Sequence, residues 1–267
     1  MAEKISVITI SYNSIKTIEK TFMSVLAQSY RPLEYVLVDG GSTDGTIEYI
    51  KKCIPKFLNA GIEVNFKSEK DNGISDAFNK GICRATGDII GIINSDDQLM
   101  ENSLDKVAVE FKEKKVDVVC GDCLWVDEKH QLQYIRKSRM ELARLKYEMV
   151  LVHPSCFVAK SAYEKYGLFD NNMRYAMDKE LMARFYRCGA NFSYIPDVLV
   201  TMYAGGASDT NVSKVFQEGF EIAVRNGVPK WKAMIRKYIS LIRWKMIEKI
   251  KHCSTIWRLL KRGEGKC

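Results

Sequence analysis

The sequence predicts an α/β fold, a mostly parallel central sheet with flanking helices, followed by a C-terminal basic amphipathic helical tail. Three observations carry this. Runs rich in β-branched residues alternate with helical patterns over residues 4–93, which implies βαβ units. Residues 89–93 form a short, continuous apolar run, the mark of a strand buried on both faces. The net charge of +8 is unevenly placed: residues 228–267 hold 12 Lys/Arg against Glu248 and Glu264, while the rest carries 29 basic and 31 acidic side chains. With 267 residues, 46% of them apolar, the expected organisation is one domain over 1–227 and an appendage over 228–267.

Residues 4–10 alternate and read as strand one. Ser11-Tyr12-Asn13-Ser14 makes a turn and N-cap. A helix over 15–28 follows, its apolar stripe formed by Ile18, Phe22, Val25 and Leu26. Strand two spans 33–38, and Asp39-Gly40-Gly41-Ser42-Thr43-Asp44-Gly45 turns into a helix over 46–57. Strand three spans 62–67, ends in Glu69-Lys70-Asp71-Asn72-Gly73, and precedes a helix over 74–84. Further on, 116–119 and 198–203 read as strands and 178–187 as a helix.

Sheets of this kind bind ligands beyond the carboxyl ends of their strands. Ser11-Tyr12, Asp39, Lys70-Asp71 and Asp96-Asp97 all fall there. Asp96-Asp97, just past a buried strand, is the costliest pair to leave without a partner. A hard cation such as Mg²⁺ or Mn²⁺, carrying a phosphate, suits two carboxylates. An acidic turn capping the helix that starts near Glu101 is the alternative.

No Gly-x-Gly-x-x-Gly follows strand one, which argues against a dinucleotide, and there is no P-loop. Of the eight cysteines, Cys120-Gly121-Asp122-Cys123 has no second pair to complete a zinc site and reads as the end of a strand; all eight are read as reduced thiols. No stretch is apolar for long enough to span a membrane, and Met1-Ala2-Glu3-Lys4-Ile5-Ser6-Val7 lacks a signal-peptide layout. A cytoplasmic location is the expectation.

The motifs Val7-Ile8-Thr9-Ile10-Ser11-Tyr12-Asn13, Val36-Leu37-Val38-Asp39-Gly40-Gly41-Ser42-Thr43-Asp44-Gly45-Thr46 and Asn94-Ser95-Asp96-Asp97 resemble the family 2 glycosyltransferases of GT-A fold. The resemblance continues in Asp71-Asn72-Gly73-Ile74-Ser75-Asp76-Ala77-Phe78-Asn79-Lys80-Gly81, His153-Pro154-Ser155-Cys156-Phe157 and Tyr175-Ala176-Met177-Asp178-Lys179-Glu180-Leu181, and covers about residues 4–210. Within the family the chain is similar to enzymes that extend lipid-linked sugars for bacterial surface polysaccharides such as O-antigen. The resemblance implies inverting transfer of one sugar from a nucleotide sugar, most often a UDP-sugar, with Mn²⁺ or Mg²⁺ as cofactor.

By position it implies that Tyr12 and Asp39 hold the base, with Ser11 nearby and Lys70 and Gly73 bordering base and ribose. Ser42, Asp76, Asn79, Lys80, Ser95 and Asp96 complete the expected nucleotide-sugar contacts. Asp97 is the expected direct metal ligand, with Asp96 beside it. The family's Asp-x-Asp has Asn94 at its first position here, so the spaced pair is replaced by two adjacent carboxylates. A cation would stabilise the departing nucleoside diphosphate. Inversion needs a base for the acceptor hydroxyl, and Asp178 matches that position, with Glu180 as second candidate and His153 as a contact for acceptor or diphosphate. Asp178 as a helix cap and His153 as a structural residue are the alternatives.

Gly205-Gly206-Ala207-Ser208 reads as a flexible lid or an ordinary turn. In the tail, Trp231, Met234, Ile235, Tyr238, Leu241, Ile242, Met246 and Ile250 recur at helical spacing among Lys and Arg, and Trp244 and Trp257 add to the aromatic content. That composition suits a helix lying on the inner membrane surface rather than nucleic acid, and the resemblance implies a polyprenyl-diphosphate-linked acceptor there. The alternative is a helix packed on the main domain. Arg243-Trp244 resembles part of a processive-synthase motif, but Ser240 replaces its glutamine. A sugar nucleotidyltransferase would need a Gly-rich basic loop after strand one, which is absent. A non-catalytic nucleotide-sugar or glycan-binding module would tolerate loss of Asp97 or Asp178.

Overall fold

The computed structural model describes residues 2–205 and 211–251. Its opening segment is β1 (Ile5–Ser11), α1 (Ile18–Leu26), β2 (Leu33–Asp39), α2 (Thr46–Asn59), β3 (Ile62–Ser68), α3 (Ile74–Arg84) and β4 (Ile89–Ile92). β1 pairs in parallel with β2 and β4, and β2 with β3. β1, β2 and β4 are buried on both sides because both faces are covered, whereas the edge strand β3 exposes Glu63 and Lys67. Ile5, Val7, Leu33, Tyr35 and Leu37 pack in the layer of Phe22, Val25 and Phe57 from α1 and α2. Ile8, Val36, Val38, Ile90 and Ile92 face the opposite layer, with Phe78 and Ile82 of α3. Gly81 lets α3 lie close on β1, since a Cβ there would fall 2.5 Å from Ile8 Cγ2.

The chain continues through β5 (Gln98–Leu99), α4 (Ser103–Glu113), β6 (Val118–Asp127), β7 (Leu132–Arg136), β8 (Cys156–Ala159), α5 (Lys160–Tyr166), α6 (Met177–Arg187), β9 (Phe192–Tyr203), α7 (Val212–Arg225) and α8 (Lys230–Lys251). Among the described residues the strands form one sheet in the order β3-β2-β1-β4-β8-β6-β9-β5, with β7 beside β6. β8 runs antiparallel between β4 and β6, so the parallel half passes into a mixed half. Strand order reverses at β1 and β4. In sheets of this kind such a reversal marks where ligands bind, beyond the strand carboxyl ends.

Three readings shift. The first helix starts at Ile18 rather than 15, because residues 11–17 are drawn into bonds with the loop after β2. The strand read over 116–119, with Cys120-Gly121-Asp122-Cys123 as its end, runs from Val118 through that segment to Asp127. An irregularity against β9 lies there, and a Cβ on Gly121 would meet Leu199 Cγ at 2.5 Å. The strand read over 198–203 is the end of the longer β9.

Among the described residues the thiols of Cys53, Cys83, Cys120, Cys123, Cys156 and Cys188 are free, and no helix is long and apolar enough to cross a membrane. Cys253, Cys267, Trp257 and the Gly206-Ala207-Ser208 part of the expected lid lie outside the described residues.

Candidate active site

The loops after β1, β2 and β4 are knitted together by short polar side chains. Asn13 N–H donates to Ser42 Oγ (2.8 Å), Ser14 N–H to Thr46 Oγ1 (2.9 Å) and Thr43 N–H to Asn13 Oδ1 (2.9 Å). Ser95 Oγ donates to Ser14 Oγ (2.8 Å), and Thr21 Oγ1 of α1 donates to the Asp97 carbonyl (2.7 Å). Residues this short at turns satisfy backbone groups that no ladder reaches.

Asp39 is the hub. Its side chain is fully buried and accepts five hydrogen bonds. Oδ1 takes those of Gly41 N–H (3.0 Å), Ser42 N–H (2.9 Å) and Ser68 Oγ (2.9 Å); Oδ2 takes those of Ser11 Oγ (2.9 Å) and Ser42 Oγ (2.5 Å). Burial alone would raise its pKa, but these donors outweigh it and hold the carboxyl below the usual range.

A pocket of about 320 Å³ opens beside this hub, lined by Tyr12, Gly40, Gly41, Lys70 and Asp71. Tyr12 is 66% exposed and presents its ring to it. Of the expected contacts, Tyr12 and Lys70 line the pocket, whereas Ser11, Asp39 and Ser42 build it from below. Gly73, in the left-handed region at φ +115°, starts α3 and donates its N–H to Asp71 Oδ1 (2.9 Å). Asp76 accepts from Asn72 N–H (2.9 Å) and pairs with Lys80 (3.2 Å), whose Nζ also donates to the Lys70 carbonyl (2.8 Å). Those two residues shape the loop that carries Lys70 and Asp71. Asn79 is bonded to Phe169 and Asn171, fastening α3 to the segment ahead of α6.

Past β4, Asp96 and Asp97 present the opposite situation. Asp97 is 2% exposed, and among the described residues its carboxylate receives the Asn94 amide (3.0 Å) and the Tyr203 backbone N–H. Burial first, then the charge of Asp96, pushes the Asp97 carboxyl up to about 7. Burial raises Asp96 as well, against a single bond from its own backbone N–H. The turn does not cap α4, whose N-cap is Asn102. Two crowded carboxylates with lone pairs to spare are a donor set for a hard cation. Among the described residues no third carboxylate, histidine or cysteine joins them, so such an ion would need oxygens from its ligand.

α6 brings up Asp178, half-buried in its first turn, with one bond from Lys179 N–H (2.7 Å). His153 lies close enough to feel its charge and packs against Phe78 and Phe169. Burial lowers the His153 pKa, with Asp178 pulling the other way, so the ring is neutral near pH 7. Asp178 does not cap the approach to α6. That task falls to Glu218 of α7, which accepts the N–H groups of Arg174 (2.9 Å), Tyr175 (2.9 Å) and Ala176 (2.7 Å). Lys179 Nζ reinforces the junction through the Tyr147 (3.0 Å) and Gly219 (3.3 Å) carbonyls.

Glu180, the second candidate base, has a partner of its own. Both its oxygens are held by Arg184 (2.9 and 3.0 Å), whose guanidinium also binds the Tyr166 and Leu168 carbonyls. Glu218 was not foreseen; it stands about 40 residues from the segment it holds, and no local pattern marks it.

A sequence model described as glycosyl transferase family 2 matches residues 6–167. An uncharacterised glycosyltransferase of Mycobacterium tuberculosis is 33% identical over 189 residues, 68% of this chain and 69% of that one. A PGL/p-HBAD biosynthesis glycosyltransferase of the same organism is 26% identical over 250 residues, 92% and 95% of the two chains. Among solved structures, S. aureus TarS residues 1–349 in complex with UDP-GlcNAc aligns with a TM-score of 0.67 at 21% identity, over 83% of this chain and 66% of that one. The chain thus spans just under two thirds of that fragment. The mannosyltransferase PcManGT of Pyrobaculum calidifontis, in complex with GDP-Man and Mn²⁺, aligns with a TM-score of 0.62 at 17% identity, over 91% and 75%. The fold is GT-A.

Proposed function

The chain belongs to glycosyltransferase family 2, and from that premise we propose that it transfers one sugar, with inversion, from a nucleotide sugar to a polyprenyl-diphosphate-linked saccharide. The observation that carries the reading is the rim itself. An aromatic-walled pocket and an undersatisfied carboxylate pair stand on one strand-end surface, with Asp178 brought up by α6. The pocket takes the base against Tyr12. Asp39 acts by ordering the loops, since direct contact with a base would cost it one of its five donors.

Asp96 and Asp97 would hold Mn²⁺ or Mg²⁺. Such an ion would supply charge stabilisation for the leaving group. Asp178 takes the acceptor proton, and the neutral His153 beside it offers one N–H to a substrate oxygen. UDP-GlcNAc and GDP-Man, named with the structural neighbours, support the donor class, and a UDP-sugar is the first to try. Assembly of a bacterial surface polysaccharide is the setting this chemistry suits.

α8 accounts for the acceptor's location. Ala233 packs with Ala223 of α7, while Trp231, Ile235, Tyr238, Ile242 and Met246 form an exposed stripe flanked by Lys and Arg. The helix lies on the cytoplasmic face of the inner membrane, each basic residue near anionic lipid contributing about 1 kcal/mol.

The test is incubation with UDP-, GDP- and dTDP-sugars and a polyprenyl-diphosphate-linked acceptor. Wild type should lengthen the acceptor by one sugar with inverted configuration, and Asp178→Asn should not. Retention of configuration, or a normal rate in the variant, contradicts the mechanism. Co-sedimentation with anionic vesicles should fall when Trp231, Ile235 and Ile242 are changed to Ser; unaltered binding removes the membrane role.

A further inference from the structure

Asp178 stands between two clamps that its own helix does not supply. Ahead of it, Glu218 of α7 holds the N–H groups of Arg174, Tyr175 and Ala176. Behind it, the Lys179 ammonium is held by the Tyr147 and Gly219 carbonyls on a side chain only 6% exposed. An ammonium so buried stays where its acceptors are, because no water replaces a lost bond. Burial draws its pKa down to about 8, with the charges of Asp178 and Glu148 opposing.

Both clamps are in turn gripped by α8. The Arg236 guanidinium lies 3.8 Å from the centre of the Tyr147 ring, a cation–π stack. Lys237 Nζ donates to Gln217 Oε1 (2.6 Å), on the residue before Glu218. Tyr147 also packs with Ala223, Val228 and Ala233, where α7 and α8 meet. At about 100° per residue, Arg236 and Lys237 flank the buried Ala233 on the inward face of α8. The exposed stripe of Trp231, Ile235, Tyr238 and Ile242 falls on the opposite face.

We propose that α8 completes the catalytic centre: Arg236 and Lys237 are positioning residues that set the first turn of α6, and with it Asp178, through Tyr147 and Lys179 on one side and Gln217 and Glu218 on the other. The inference rests on the reading of Asp178 as the acceptor base. It gives the inward face of α8 a role that attachment to a membrane does not require.

The imidazole ¹⁵N resonances of the full chain test the link without any substrate. His153 feels the charge of Asp178, and its signals are assigned among the three histidines by replacing His130 and His252 in turn. Asp178→Asn calibrates the shift that a disturbed carboxylate produces. The pair Arg236→Ala and Lys237→Ala should move the His153 signals and leave those of His130 in place. In the transfer assay above, run without vesicles, the same pair should lower kcat about threefold to tenfold with donor KM unchanged. Tyr147→Ala should act likewise, and Tyr147→Phe, which keeps the ring and the carbonyl, should restore both readouts. Circular dichroism confirms which variants are folded, and either single α8 variant serves where the pair does not fold. Unmoved His153 signals or an unchanged kcat in the folded variants overturns the proposal. A wild type that transfers no sugar from any of the donors overturns the function proposed above, and the His153 signals still decide whether α8 sets the first turn of α6.

Discussion

Two carboxylate centres on one rim are solved in opposite ways. After β2, Asp39 is completely buried yet has five donors, and its pKa is held down. After β4, Asp97 is almost as buried but among the described residues has two donors and a like charge beside it, and its pKa is driven up. Burial is equal; satisfaction is not. A buried carboxylate with all its lone pairs taken is part of the architecture, while an unsatisfied one marks where something from outside is meant to bind. The same contrast separates Glu180, held by Arg184, from Asp178, which receives one neighbouring N–H.

The contrast can be broken first on α6. Asp178→Asn should lower the transfer rate about 10²–10⁴-fold with no loss of folding. Glu180→Gln should shift the unfolding midpoint and leave the rate per folded molecule near normal. Equal rate losses would dissolve the distinction. Next, the same exchange at the two rim centres should have opposite consequences. Asp39→Asn puts an amide among serine donors and should cost about 2–3 kcal/mol in urea unfolding. Asp97→Asn removes a crowded charge, so metal-free stability should hold or rise while cation-dependent nucleotide binding disappears.

Glu218 makes a smaller, kinetic test. Glu218→Gln keeps one of two oxygens for three N–H groups, so kcat should fall about tenfold while donor KM is unchanged. A parallel change in donor KM would show general loosening instead. The mildest effect is in pH. Asp39's pKa is depressed on folding, so its contribution is present above the unfolded carboxyl pKa of about 4 and is lost as pH falls through the lower folded value. Wild-type stability should drop across that acidic window, and Asp39→Asn should flatten the drop.

The β1 to β4 half was legible because its signals are local. Apolar runs set the strands, Gly-Ser-Asp turns end them, and Asp96-Asp97 was conspicuous by charge. What could not be read was who satisfies whom. Asp39 reads as a base contact, and only the fold shows that it also accepts bonds from Ser11 at the end of β1, Ser42 after β2 and Ser68 at the end of β3. Asp71 reads as a rim residue, and that its carboxylate lies against Gly40 is a contact across two loops that no local pattern marks. β6 runs past Gly121, which as a bare sequence looks like a strand end and in the fold makes room for Leu199. Glu218 belongs to α7, which only tertiary packing brings beside α6.

The most direct test of the central claim, that Asp96 and Asp97 await a cation delivered with a nucleoside diphosphate, is calorimetric titration of UDP with and without Mn²⁺ on wild type and Asp97→Asn. The account predicts tight binding only for wild type with Mn²⁺. Binding of equal strength without the metal, or in the variant, would contradict it.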